Sequence, residues 1–131
     1  MKFSDLGLSS ELSRAVADLG YESPTPIQEK SIPVVLMGRD ILGSAQTGTG
    51  KTASFTLPMI DILASGRAKA HLPRTLILAP TRELAAQVAD SFEKFSVNNK
   101  LSMALLIGGV SFADQNAALS KGVDVLIATP G

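Results

Sequence analysis

The stretch Ala45-Gln46-Thr47-Gly48-Thr49-Gly50-Lys51-Thr52 decides how the rest of this chain is read. It stands between a short apolar run at Ile41-Leu42 and a helical pattern over residues 51–63. In that setting Gly48 and Gly50 let the backbone wrap an anion. The amides from Gly48 to Thr52 point inward, and the following helix offers its positive end. Gly-x-Gly alone would be an ordinary turn that caps a helix and binds nothing. Lys-Thr directly after it makes a nucleoside triphosphate the expected ligand. Lys51 is expected to reach the β- and γ-phosphates, and the Thr52 hydroxyl to take a coordination position on Mg²⁺. The strict pattern asks for glycine at the first position, where this chain has Ala45.

On the C-terminal side, short apolar runs alternate with helical patterns. Residues 75–79, 101–107 and 123–128 are almost wholly apolar, as strands buried on both faces of a parallel sheet are. A helix carrying Leu84, Val88, Phe92 and Phe95 follows the first of these runs, and a short helix is expected after Ser111. Right-handed β-α-β crossovers are the expected connections. Residues 64–71 read as an exposed polar loop, and His71, the single histidine, falls within it.

On the N-terminal side the pattern is helical. Leu12, Ala15, Val16 and Leu19 recur at helical spacing between Ser9 as N-cap and Gly20 as stop. A second helix starts at Thr25, with Pro26 in its first position and Gln28 three residues after the cap. Pro33 is expected to break or kink it, and Gly38 to end it.

The 131 residues are 45% hydrophobic, enough for one domain with a core and too few for two. Formal charge sums to zero, so nucleic acid could be held only by placed amides and a few cations, not by bulk charge. There is no cysteine, hence neither a disulfide nor a thiolate zinc site, which fits a reducing compartment. Met1-Lys2-Phe3-Ser4-Asp5 lacks the apolar run of a signal peptide, and no apolar stretch reaches membrane-spanning length. A soluble, cytoplasmic protein is expected.

Five short motifs, in order, resemble those of the DEAD-box RNA helicases. Gly20-Tyr21-Glu22-Ser23-Pro24-Thr25-Pro26-Ile27-Gln28 resembles the Q motif, with Phe3 as its isolated upstream aromatic residue. Residues 45–52 resemble motif I, in which alanine commonly opens the loop. Pro80-Thr81-Arg82-Glu83-Leu84-Ala85 resembles motif Ia, Gly108-Gly109 the GG motif, and Thr129-Pro130-Gly131 the start of motif Ib.

The resemblance implies a RecA-like α/β fold, a parallel sheet with helices on both faces, preceded by a helical Q-motif segment. Residues 1–39 would be that segment and 40–131 the phosphate-loop core of a first motor domain, cut within motif Ib. It implies ATP and Mg²⁺ as ligands and RNA as partner. Tyr21 would stack on adenine, Gln28 would bond its edge, and Phe3 would brace the Q-motif loop. Pro80, Thr81, Arg82, Gly108, Gly109, Thr129, Pro130 and Gly131 would hold the RNA backbone, with little sequence preference.

Residue types alone leave other readings open. Thr25-x-x-Gln28 is also an ordinary capping box, Arg82 and Glu83 could be solvated charges, and Gly108-Gly109 a simple turn. A phosphate-loop enzyme not acting on RNA, or a non-enzymatic binding module, are the alternatives. Hydrolysis of ATP needs carboxylates at the end of a buried strand. Asp61 falls in a helical run and Asp124 opens its strand, so neither suits. The family's Asp-Glu-Ala-Asp and Ser-Ala-Thr motifs, and the second motor domain with its arginine finger, have no counterpart here. The chain is therefore expected to be a fragment, inactive alone and prone to oligomerise or swap strands, of a parent that acts as a monomer.

Overall fold

Each helical boundary is set by local chemistry. In the computed structural model, which describes residues 2–44, 50–64, 74–99, 101–107 and 123–130, the chain opens with a 3₁₀ turn, Phe3–Leu6. Helix α1, Ser10–Asp18, starts where the Ser9 hydroxyl accepts a hydrogen bond from the Leu12 amide at 3.3 Å. It stops at Gly20, whose φ of +87° lets the Gly20 and Tyr21 amides return to the Ala17 and Val16 carbonyls. Helix α2, Pro26–Leu36, ends the same way at Gly38, with φ of +77°.

Of the break or kink expected at Pro33, the break does not occur; three more helical residues follow it in α2. An internal proline costs about 3 kcal/mol in an isolated helix. Here α2 lies along helix α3, Lys51–Ala64, and burial of Ile32 against the core offsets that loss. Helix α3 likewise runs through Pro58.

Helix α4, Arg82–Phe95, packs on the sheet and against α3 and α1. Its buried stripe is Ala85, Val88, Ala89, Phe92 and Phe95; Leu84, expected on that stripe, is exposed, one residue off its edge. The core joins this stripe to Leu12 and Val16 of α1, Leu57 and Ile60 of α3, and the buried Phe3 and Leu6.

Strands β1 (Thr75–Leu78), β2 (Met103–Leu106) and β3 (Val125–Ala128) form a parallel sheet in the order β1-β3-β2. Thr75 pairs with Val125 and Met103 also pairs with Val125, so β3 is central although it comes last in sequence. Asp124 locks one end: its carboxylate accepts from the Ser102 amide at 3.0 Å. Val125 and Ile127 point into the core, fully buried.

Two expectations fail at the sheet. Ile41-Leu42 forms no strand, and Leu42 is 100% exposed. A strand exists only with a neighbour to accept its hydrogen bonds, and the segment lies beside none of the described strands. Nor is β1 buried on both faces: Leu76 is 60% and Leu78 65% exposed on its free side. The short helix expected after Ser111 and the loop at residues 65–71 lie outside the described residues.

An edge strand such as β1, with apolar Leu76 and Leu78 exposed and no further described strand beside it, is a template for pairing with another chain. The 131-residue chain is expected to self-associate, eluting above monomer size in size-exclusion chromatography and unfolding over a broad range. A monodisperse monomer with a sharp melt would contradict this.

Candidate functional site

Gln28 carries the geometry of the site. It sits in the first turn of α2 and is only 3% exposed. Its Oε1 accepts from the Thr25 amide at 2.9 Å, which is one half of the expected capping box. The other half is looser: Thr25 Oγ1 faces the Gln28 amide without reaching hydrogen-bonding geometry. Gln28 Nε2 donates to the Gly50 carbonyl at 3.1 Å, twenty-two residues away. One end of the amide thus serves the helix start, and the other ties α2 to the first residue before α3.

Gly50 is where the phosphate loop turns into α3. Its φ is +84°, a conformation that favours glycine. Its carbonyl also accepts the first helical bond, from the Ser54 amide at 3.2 Å. A Cβ at this position would meet Gln28 Nε2 at 2.2 Å and Thr25 Oγ1 at 3.1 Å. Lys51, exposed, and Thr52, half-buried, stand in the first turn of α3, at the positive end of a fourteen-residue helix. This helix start can receive phosphate, with a lysine and a hydroxyl at its rim. Ala45, Gln46, Thr47, Gly48 and Thr49 lie outside the described residues.

Two other residues expected to serve the nucleotide, Phe3 and Tyr21, are described. Phe3 is buried in the 3₁₀ turn that packs on α1 and α2, beneath the segment bearing Gln28. Tyr21 is placed by the Gly20 turn, with its ring against Phe95 at a centroid distance of 5.7 Å and an angle of 54°. It remains 48% exposed.

A second group gathers at one edge of the sheet. Because the strands are parallel and in register, the residues that follow Leu78, Leu106 and Ala128 emerge side by side. Pro80, Thr81 and Arg82 follow β1, all exposed, and the Thr81 hydroxyl accepts from the Leu84 amide at 3.1 Å as N-cap of α4. Thr129, half-buried, and Pro130, exposed, follow β3, and the Thr129 amide donates to the Leu106 carbonyl at 3.1 Å. Gly108, Gly109 and Gly131 lie outside the described residues. Among the described residues, no cluster of acidic or histidine side chains could hold a metal by itself, and no helix is long and apolar enough to cross a membrane.

The DEAD/DEAH box helicase family matches this chain over residues 25–131. The chain belongs to that family. An ATP-dependent rRNA helicase, rrp-3, of Neurospora crassa is 49% identical over 129 residues, covering 98% of this chain and 24% of that protein. The ATP-dependent RNA helicase DeaD of Klebsiella pneumoniae is 45% identical, covering 98% of this chain and 20% of its own length. A crystal structure of a DEAD box protein from Methanococcus jannaschii superposes with a TM-score of 0.91 at 40% identity, over all of this chain and 35% of that one. The RNA helicase Prp28 from Chaetomium thermophilum, bound to ADP, gives the same TM-score and identity over 99% of this chain and 32% of its own. The fold is thus the family's RecA-like α/β fold, and the chain spans about a quarter of the length of the curated relatives it matches.

Sequence reasoning missed one linkage. The Asp61 carboxylate on α3 accepts from both the Ser9 amide, at 2.8 Å, and the Ser9 hydroxyl, at 2.6 Å. Its signal was there: Asp61 and Lys51 are the only charged residues in the whole of α3.

Gly50→Ala is expected to expel the Gln28 amide from its place, costing about 1–3 kcal/mol of stability through strain and the lost bond. Urea unfolding reads the first effect and titration with a fluorescent ATP analogue the second, where binding is expected to vanish. An unchanged midpoint and affinity would contradict the assignment of this contact.

Proposed function

We propose that this chain is the nucleotide-binding part of the first motor domain of an ATP-dependent RNA helicase. Residues 1–39 are the Q-motif segment and 40–131 the phosphate-loop core. The whole protein binds and hydrolyses ATP to open RNA duplexes or remodel RNA-protein complexes, acting as a monomer in the cytoplasm. The single observation that carries the reading is the Gln28–Gly50 hydrogen bond, which joins a base-reading segment to a phosphate-binding helix start.

The residues present fit ATP with Mg²⁺. An amide has two donors and two lone pairs; Gln28 spends one of each on Gly50 and Thr25, leaving one of each. That remaining pair complements the donor and acceptor on adenine's edge, whereas guanine offers two acceptors there. The free face of Tyr21 supplies a stacking surface. Amides at the start of α3 and the Lys51 ammonium would hold the phosphates, and Thr52 would hold Mg²⁺, which when bound neutralises charge on them. ADP bound to the related Prp28 agrees with such a site.

RNA falls to the edge bearing Pro80, Thr81, Arg82, Thr129 and Pro130, and the resemblance adds Gly108, Gly109 and Gly131 as further RNA-contacting residues. Exposed hydroxyls, a guanidinium and backbone amides at a helix start suit phosphate and sugar, which carry no sequence information. The neutral net charge of the chain accords with weak, placed contacts. The carboxylates that orient water are not Asp61, whose two oxygens both accept from Ser9, or Asp124, which opens β3 and binds Ser102 through Oδ2. Hydrolysis therefore belongs to the whole protein and not to this chain alone.

In the whole protein, Gln28→Ala is expected to weaken ATP binding by about 1–3 kcal/mol and to narrow the preference over GTP. Equal use of both nucleotides by the unmutated protein would leave Gln28 as a cap alone. Lys51→Ala is expected to cut RNA-stimulated hydrolysis at least about a hundredfold with an unchanged circular dichroism spectrum. Hydrolysis at the unmutated rate would displace the phosphate site.

A further inference from the structure

Helix α3 is tied to the N-terminal segment at two separate places. Near its start, Gly50 accepts from Gln28. Ten residues beyond Lys51, about 15 Å along the axis, the Asp61 carboxylate takes both donors of Ser9. The second tie is the stronger in kind, because both bonds are to a carboxylate and the acceptor faces the positive end of α1. Ser9 is held from its other side as well, since its hydroxyl accepts from the Leu12 amide and so fixes the first turn of α1.

Between the two ties lies the whole segment that would read the base. Helix α1 leads through the Gly20 turn to Tyr21, and then through Thr25 to Gln28. A segment pinned at both ends to one rigid helix can present Tyr21 and Gln28 at a fixed height above the phosphate end of that helix. Leu12 and Val16 keep α1 in the core, so loss of the Ser9 tie is expected to tilt its start and shift Tyr21 slightly, not to free it.

We infer that Asp61 is a positioning residue for base recognition: by clamping Ser9 it holds the Tyr21-to-Gln28 segment in register with the phosphate end of α3. This rests on the nucleotide site proposed above and extends it to a residue that touches no part of the nucleotide. Asp61 acts through α1, and its effect belongs to the base and not to the phosphates.

Asp61→Asn in the full-length protein tests this. It keeps size and shape but turns one accepting oxygen into an NH₂ group facing a Ser9 donor. The KM for ATP is expected to rise roughly five- to tenfold, the scale of a charge-assisted bond lost in part. The KM for GTP is expected to stay within about twofold, and kcat at saturating ATP likewise, because the phosphate contacts are untouched. Ser9→Ala, a milder change that leaves the Ser9 amide bond in place, is expected to shift the same ratio in the same direction. Ile127→Val, which trims the core under the sheet, serves as the control: it lowers Tm with no change in the ATP-to-GTP ratio. An Asp61→Asn protein that loses Tm but keeps the unmutated ratio, as the control does, overturns the inference alone. An unmutated protein without preference for ATP overturns both the inference and the site beneath it.

Discussion

The buried carboxamide of Gln28 is the joint on which the site depends. It must satisfy its polar atoms inside protein, because leaving them unpaired costs about 1–3 kcal/mol. It does so by bonding its own helix start and the carbonyl that opens α3. Gly50 has to be glycine for two reasons at once, its positive φ and the nearness of that amide. The helical segment and the phosphate helix are thereby one unit, and α2 can run along α3 even through Pro33. The Asp61–Ser9 pair completes that unit at its far end.

Much of this was legible in the sequence because the signals are local. Ser9, Gly20, Pro26 and Gly38 each do what their chemistry dictates within a few residues of themselves. The three apolar runs became the three strands, and Lys51-Thr52 opens the helix expected there. The outcome depended on distant partners where sequence reading failed. Pro33 is carried by packing against α3. Leu84 shows that helical spacing locates a stripe but not its edges. Ile41-Leu42 has strand composition but no neighbour to pair with, and composition does not report on neighbours. Asp61 could be read only as a carboxylate unsuited to hydrolysis, because the serine that binds it is fifty-two residues away.

The two candidate surfaces also differ in how they are built. The nucleotide end is made by helices meeting helices, so its geometry follows from packing and two hydrogen-bonded ties. The nucleic-acid edge is made by strand register, so Thr81 and Thr129 are aligned by the ladder that pairs Leu78 with Ala128. A disturbance of the core beneath α4 reaches the second surface through the sheet, and a disturbance of α1 reaches the first.

The central place of β3 has a consequence for the order of assembly. Neither β1 nor β2 has the other as a neighbour; each finds its partner only in Val125–Ala128. During synthesis the helical layer of α1, α2 and α3 can gather as soon as residue 64 is made, through contacts that are complete by then. The β1-β3-β2 ladder cannot begin at that point: two strands wait for a third that follows both in sequence, across gaps that make their closure slow. A nascent chain halted short of Val125 would hold both ladders open, and the apolar side chains of β1 and β2 would stay exposed to any neighbour until residues 125–128 arrived.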